Sequence, residues 1–259
     1  MAALRMKPKL SRITLRLAAD VMLVNMESDP PRRSARRPAT SKAGYHHGDL
    51  PRALVAAATR LIESPDRGPV TLRAAAVASG VSIAAPYRHF KSRDALLAAV
   101  LAEGFRELER RTESTRQAEA NPLRALEAVG ATYVRFAVER PRLYRMMFGP
   151  DCDKARFPEL LRAGREALAV LHRAVSQARA SLGIGEGEVA RVALAGWSLV
   201  HGLASLHVDG MLAGAGHGFD PEQVARDIAS ILIDGLRARS RAEAAGCPIV
   251  SPRGGDGER

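Results

Sequence analysis

The sequence predicts an all-α protein, and three observations carry the prediction. From Asp49 onward, apolar residues recur three and four apart, and no stretch alternates apolar and polar as a half-buried strand does. Pro, Gly and the N-capping types Ser, Thr, Asn and Asp punctuate these stripes at helical intervals. Aromatic residues make up 4% of the 259 residues and hydrophobic residues 46%, so the core rests on Leu, Val, Ile and Ala. A chain of this length buries a substantial core without covalent staples. Its two cysteines, Cys152 and Cys247, lie far apart with no CxxC spacing, which argues against a disulfide framework and a structural zinc site. No metal or cofactor is expected, and a reducing cytoplasm is the expected compartment. No uninterrupted apolar run reaches the roughly 18 residues of a membrane span, so no membrane partner is expected.

Residues 1–44 hold ten Lys/Arg against three Asp/Glu, or +7 of the total +11; residues 45–119 and 120–259 add +2 each. The stretch SDPPRRSARRPATSKAG at 28–44 lacks core-forming residues and predicts a disordered basic arm. Such an arm beside a folded module is a footprint of nucleic-acid binding, and equally the look of a solvated tail. Residues 10–26 are more apolar and predict a transient helix. Arg12, Arg16 and Asp20 interrupt them, unlike a signal peptide.

The elements follow in order. Leu50, Leu54, Ala57, Ala58, Leu61 and Ile62 form one stripe, predicting a helix over 49–63 that SPDRGP at 64–69 stops. Thr71 caps a short Ala-rich helix over 72–78, and Ser79-Gly80-Val81 breaks it. Ser82 reads as the cap of a helix reaching about Phe90. Ser92 reads as the cap of a long one over 93–118, with Asp94 favouring its dipole. Asn121-Pro122 opens the next, to Arg140, and a short helix covers 141–148. Further helices are expected over 157–182, ending at Gly183, over 187–209 and from Asp220-Pro221 to near Arg239. The Gly- and Pro-rich end, 241–259, reads as a disordered tail.

The strongest constellation is TLRAAAVASGVSIAAPYRHFKSRDALLAAV, residues 71–100. Two short helices joined by a glycine-containing turn are the helix-turn-helix layout, here about 71–90. In that layout the second helix offers its start to base edges in the major groove. Ala74, Ala75, Ala76 and Ala78 are small enough for close helix approach, and Val81 and Phe90 are candidates to plug the small core. Tyr87, Arg88, His89 and Lys91 crowd phosphate donors and a base reader into one stretch.

At these residues the chain resembles the TetR family of bacterial transcriptional regulators. The matching positions are Thr71, Gly80, Val81, Ser82, Tyr87, His89, Phe90, Lys91, Leu96 and Leu97. YHHGDLPRAL at 45–54 is similar to the entry to the first helix in a TetR subgroup. GWSLVHGLASL at 196–206 resembles that subgroup's Trp-His-Gly signature through Trp197, His201 and Gly202. The resemblance covers 45–106 strongly and 120–238 more loosely. One departure stands out: the family usually has Leu before the Tyr, and here Pro86 removes one backbone bond near the start of the recognition helix.

The resemblance implies a DNA-binding domain over 45–106 and an effector-binding and dimerisation body over 107–240. It implies a sequence-specific regulator, a repressor released by a small-molecule effector, with operator DNA and a second copy of the chain as partners. The alternative is a nonspecific DNA-binding or helical adaptor protein without effector control. The last two helices are the implied dimer face, although Leu194, Leu199, Val224, Ile228, Ile231 and Leu232 equally suit an intrachain core.

By resemblance Tyr87 and Lys91 contact phosphate; otherwise they are a half-buried aromatic and a solvated charge. Arg88 suits either a guanine or a phosphate. Arg73 suits DNA or a pairing with Asp94 or Glu63. Thr71 is a cap and a candidate phosphate ligand. Ser82 is grouped with the DNA-facing residues. Ile83, Ala84 and Ala85 either touch thymine methyls or are simply tolerated. His89 belongs to the same stretch, with packing or bonding inside the domain its favoured role. Tyr45, His46 and His47 either extend the arm to the minor groove or are disordered.

Phe136, Leu143, Met146, Met147, Phe148, Trp197, His201 and Leu203 concentrate aromatic and Met residues on the middle helices. They are candidates for an apolar effector pocket, with ordinary core as the alternative. No HExxH, GxSxG or phosphate-binding glycine loop is present. Asp151 and Asp153 flank Cys152 and are expected to raise its pKa. The reading is therefore a non-enzyme.

Overall fold

The computed structural model describes residues 50–64, 70–214 and 220–246. The expectations for the arm, residues 10–26, Tyr45, His46, His47, Cys247 and the tail beyond 246 lie outside the described residues. The described residues form eight α-helices and no strand. They are α1 (Leu50–Glu63), α2 (Leu72–Ala78), α3 (Arg93–Ala118), α4 (Pro122–Glu139), α5 (Pro141–Phe148), α6 (Pro158–Leu182), α7 (Val189–Val208) and α8 (Pro221–Ala244). Short 3-10 turns occupy Ala85–Arg88, Lys154–Arg156 and Glu186–Glu188.

The predicted caps set the helix starts. Thr71 accepts the Ala74 N–H at 3.0 Å, and Ser92 accepts that of Ala95 at 3.1 Å. Asn121 Oδ1 accepts from Leu123 and Arg124 at 3.0 and 3.2 Å. Gly80 and Gly183 end α2 and α6 with φ of +68° and +69°, the left-handed region that favours glycine. At Gly183 space is a second constraint, because a Cβ would lie 2.2 Å from Ser240 Oγ.

Two boundaries differ from the sequence reading. The segment from Ser82 to Phe90 is not an α-helix but one 3-10 turn over Ala85–Arg88. Pro86 has no N–H to return to the Ser82 carbonyl. That carbonyl takes the Ala85 N–H instead, at 3.0 Å, three residues back rather than four. The Pro86 carbonyl then accepts both His89 and Phe90 N–H groups at 2.9 Å. Ser82 is exposed and caps nothing here, since the turn opens at Ala84 without a side-chain bond. The last helix runs on past Arg239 to Ala244, because residues 240–244 contain no breaker and the left-handed glycine arrives only at Gly246.

The chain divides into two compact units. The first comprises residues up to 107 together with 140–166. The second comprises 108–139 and residues from 167 onward, so the division falls inside α3 and α6. In the first unit α1 packs on α2 and on α5. Leu54, Leu96, Leu97 and Leu101 are fully enclosed, and Ala75 and Ala76 give the close helix approach expected of them. Ala78, by contrast, is exposed, because it lies off the buried Leu72–Ala75–Ala76 stripe. Glu63 ties α1 to α5: its carboxylate accepts the Leu143 N–H at 3.0 Å, and its carbonyl accepts from Arg142 at 2.7 Å. Gly104 lets α5 lie close, since a Cβ there would be 2.9 Å from Met147 Sδ.

In the second unit α4 packs on α7 and α8. One core cluster joins Val175, Ala178 and Leu182 to Val189, Val192 and Ile233. Glu113 is held by Arg116 and Arg173, with the Arg173 contact at 3.0 Å; the Arg116 guanidinium is the main cause of a carboxyl pKa pushed down to about 2. Of the candidate dimer-face residues, Leu199 and Ile231 are exposed, and Leu194, Val224, Ile228 and Leu232 are half-buried. Leu206, one heptad beyond Leu199 and so on the same face of α7, is exposed as well.

Candidate DNA-binding face

The helix-turn-helix rests on an apolar floor. Pro86 and Phe90 are buried beneath the 3-10 turn, and Val81 is half-buried with its N–H on the Ala76 carbonyl at 3.1 Å. Arg93 Nε donates to the Val70 carbonyl at 2.9 Å, bracing the start of α3 against the entry to α2. The same arginine lies 3.8 Å from Asp94. Of the two carboxylates considered for Arg73, Asp94 thus lies beside Arg93 and Glu63 is engaged with α5. Arg73 is exposed and has no ion-pair partner among the described residues.

With Pro86 and Phe90 turned inward, the remaining side chains of the segment face outward. Ser82, Ile83, Ala84, Tyr87, Arg88, His89 and Lys91 are all exposed, and Ala85 is half-buried. Tyr87 retains 60% of its accessible surface, so it is not a half-buried aromatic, and Ile83 retains 46%. His89, expected to pack or bond within the domain, is exposed too: the 3-10 turn ends at Arg88 and leaves it outside the floor. Thr71 is half-buried and already engaged as the cap of α2.

Sequence reasoning passed over Val77. It is 67% exposed and lies one turn beyond Arg73 on the same face of α2. The signal was available, since Val77 falls off the buried Leu72–Ala75–Ala76 stripe. Arg88 and His89 also rim an open cleft of about 1360 Å³ beside the face, to which α1 contributes Arg52 and Arg60.

The effector-pocket candidates fall into two groups. Leu143, Met147 and Phe148 belong to the first unit, where Phe148 meets Phe105 edge-on at 5.4 Å and Met146 is half-buried. Phe136, Trp197, His201 and Leu203 belong to the second. There Trp197 Nε1 donates to the Tyr133 hydroxyl at 3.4 Å, and that oxygen lies 2.9 Å from His201 Nδ1. The three side chains thus form one connected polar group within the second unit. Burial pushes the His201 pKa down to about 4, so the ring is neutral at physiological pH. Tyr133 was not among the expected residues, because its pairing with a residue 68 positions away leaves no local pattern. Cys152 is buried, and burial rather than its flanking carboxylates is the main cause of its raised pKa.

The His201 environment predicts a pH dependence. Its folded pKa lies below the ordinary 6.5, so its contribution to stability is full above that value. The contribution is lost as pH falls from 6.5 towards 4, on the order of 3 kcal/mol for a shift of this kind. A His201→Gln variant should show a flatter loss of melting temperature between pH 7 and pH 4.5. An unchanged slope would mean that another group controls acid sensitivity.

Residues 54–100 match the model of the family described as bacterial regulatory proteins, tetR family, and residues 126–232 match the tetracyclin repressor-like C-terminal domain. A protein of unknown function from Rhodococcus sp. RHA1 is 32% identical, with a TM-score of 0.65; the alignment covers 76% of this chain and all of that one. Two further solved structures share the fold. The TetR family regulator PfmR from Thermus thermophilus is 19% identical with a TM-score of 0.52, covering 71% of this chain and 98% of that one. FadR from Bacillus subtilis, solved with stearoyl-CoA, is 15% identical with a TM-score of 0.53 and the same coverage. No curated protein matches the chain. The capped helix pair and the helical body are thus each matched in chain order, and the chain belongs to the TetR family of DNA-binding transcriptional regulators.

Proposed function

We propose that the protein is a homodimeric, sequence-specific repressor that a small hydrophobic effector releases from its operator. The observation that carries the DNA-binding part is the outward face of the 3-10 segment, where Tyr87, Arg88 and Lys91 stand exposed over buried Pro86 and Phe90. Tyr87 and Lys91 hold phosphates, Thr71 and Arg73 flank them, and Arg88 enters the groove with Ser82, Ile83, Ala84, Ala85 and His89 beside it. One such face makes few base contacts, so two copies on a two-fold axis read paired half-sites. Exposed Leu199 and Leu206 on α7 and Ile231 on α8 support pairing through these helices.

The domain assignment follows: head over 45–106, effector-binding and dimerisation body over 107–240, and a cytoplasmic, non-enzymatic role. Trp197 and the neutral His201 ring supply an apolar wall and a polar group for the effector, with Phe136 fully enclosed in the same unit; the Leu143, Met147 and Phe148 group links α5 to the head. Stearoyl-CoA, found with the Bacillus subtilis FadR, is one ligand class to screen. The mechanism is differential binding: a ligand that prefers the conformation with wrongly spaced heads lowers DNA affinity by that preference ratio.

The test is an operator selected from random DNA by the purified protein, then measured by fluorescence anisotropy against a scrambled duplex of equal length. Sequence-specific regulation requires tighter binding to the selected duplex at the same salt. Equal affinity leaves the nonspecific alternative.

A further inference from the structure

The outward face has a one-sided chemistry. Around the 3-10 turn it presents Ser82, Ile83, Ala84, Tyr87, Arg88, His89 and Lys91, and on α2 Arg73 and Val77. Among the described residues of this face there is no Asn, Gln, Asp or Glu. Adenine is read in the major groove by a carboxamide that donates to N7 and accepts from N6, and cytosine by a carboxylate that accepts from N4. Two of the groups present each match one particular base feature. Arg88 is a fork of donors matched to guanine N7 and O6. Ile83, beside Ala84, is an apolar tip matched to the thymine 5-methyl group.

Ile83 lies just ahead of the 3-10 segment. A regular α-helix from Ser82 would have given that segment four-residue spacing. Instead the Ala85 N–H closes on Ser82, and Ile83 and Ala84 form the outer bend of a tight turn. The β-branched Ile83 is stiff at χ1, so an exposed methyl group there is presented in few orientations. Almost half of its surface remains accessible, in a segment where Pro86 and Phe90 take the buried places.

We propose that the protein reads its half-site through thymine and guanine, with Ile83 as the residue that recognises a thymine methyl group. The inference rests on the DNA-binding reading above and goes beyond it by naming the base and the atom. Burying one methyl group against Ile83 is worth about fourfold in affinity. A dimer with one such contact per half-site therefore gains about fifteenfold from the two methyls together.

The test uses the full-length protein and its selected operator. Each thymine of one half-site, and then the symmetry-related pair, is replaced by deoxyuridine, which removes the methyl group and keeps Watson–Crick pairing. At one position the wild-type protein should lose about fourfold per replaced methyl. The Ile83→Ala variant loses the contact in both protomers, so it should bind the normal operator about fifteenfold more weakly and be indifferent to that replacement, while Ile83→Val retains part of the response. Ile83 is exposed, so unchanged melting temperatures are expected for both variants. Two results overturn the proposal: no thymine whose methyl group matters to the wild type, or a methyl effect of full size in Ile83→Ala. Either can occur with discrimination between operator and scrambled DNA intact, in which case the DNA-binding reading survives. Loss of that discrimination in the wild type removes the reading on which this inference rests.

Discussion

Phe136→Ala is expected to destabilise the second unit by about 3–5 kcal/mol, the usual cost of removing a buried phenyl ring and leaving its cavity. Phe136 has no accessible surface and is the largest fully enclosed side chain among the described residues. It lies on α4, the helix that packs on both α7 and α8, so a void there loosens more than one helix pair. The ring also lies 5.6 Å beneath the Arg111 guanidinium, which in turn pairs with Glu139 at 2.5 Å. Arg111→Ala removes only that partly exposed cation and should cost about 1 kcal/mol or less. Urea denaturation of the two variants checks the difference. Similar midpoints would mean that the Phe136 site collapses around the smaller side chain.

The helices were legible in the sequence wherever a local signal fixed them. Thr71, Ser92 and Asn121 each cap the helix expected of them, because a cap depends on residues within one turn. The recognition segment was misread because Ser82 offers a cap and Pro86 a conflict. Periodicity registers the first, but only the bond inventory shows that the proline wins. The outward face was largely legible, as it is one contiguous stretch with a family match. Tyr133, by contrast, enters the second unit's polar relay through contacts 64 and 68 residues away, which no local spacing encodes. The division of the aromatic and Met residues between two units was equally hidden. Helices α4 and α5 are separated by Arg140 alone, yet the chain parts there between different compact bodies.

Arg88→Ala and Lys91→Ala are expected to weaken DNA binding in different ways. Both side chains are exposed on the same face, but Arg88 ends the 3-10 turn while Lys91 lies beyond buried Phe90. An arginine that forks onto guanine contributes about 1–3 kcal/mol of discrimination at each half-site. Arg88→Ala in a dimer should therefore lose about 2–6 kcal/mol on the selected operator and much less on DNA already mutated at the guanine. A lysine on phosphate carries no sequence information, so Lys91→Ala should weaken every duplex alike. It should also reduce the slope of log affinity against log salt by about one per protomer. Anisotropy titrations over a potassium chloride series, on the operator and on single-base variants, separate the two effects. If Arg88→Ala instead lowers affinity uniformly and flattens the salt slope, Arg88 is a second phosphate contact. Guanine would then be removed from the predicted half-site, while the exposed Ile83 would still stand as a reader of thymine.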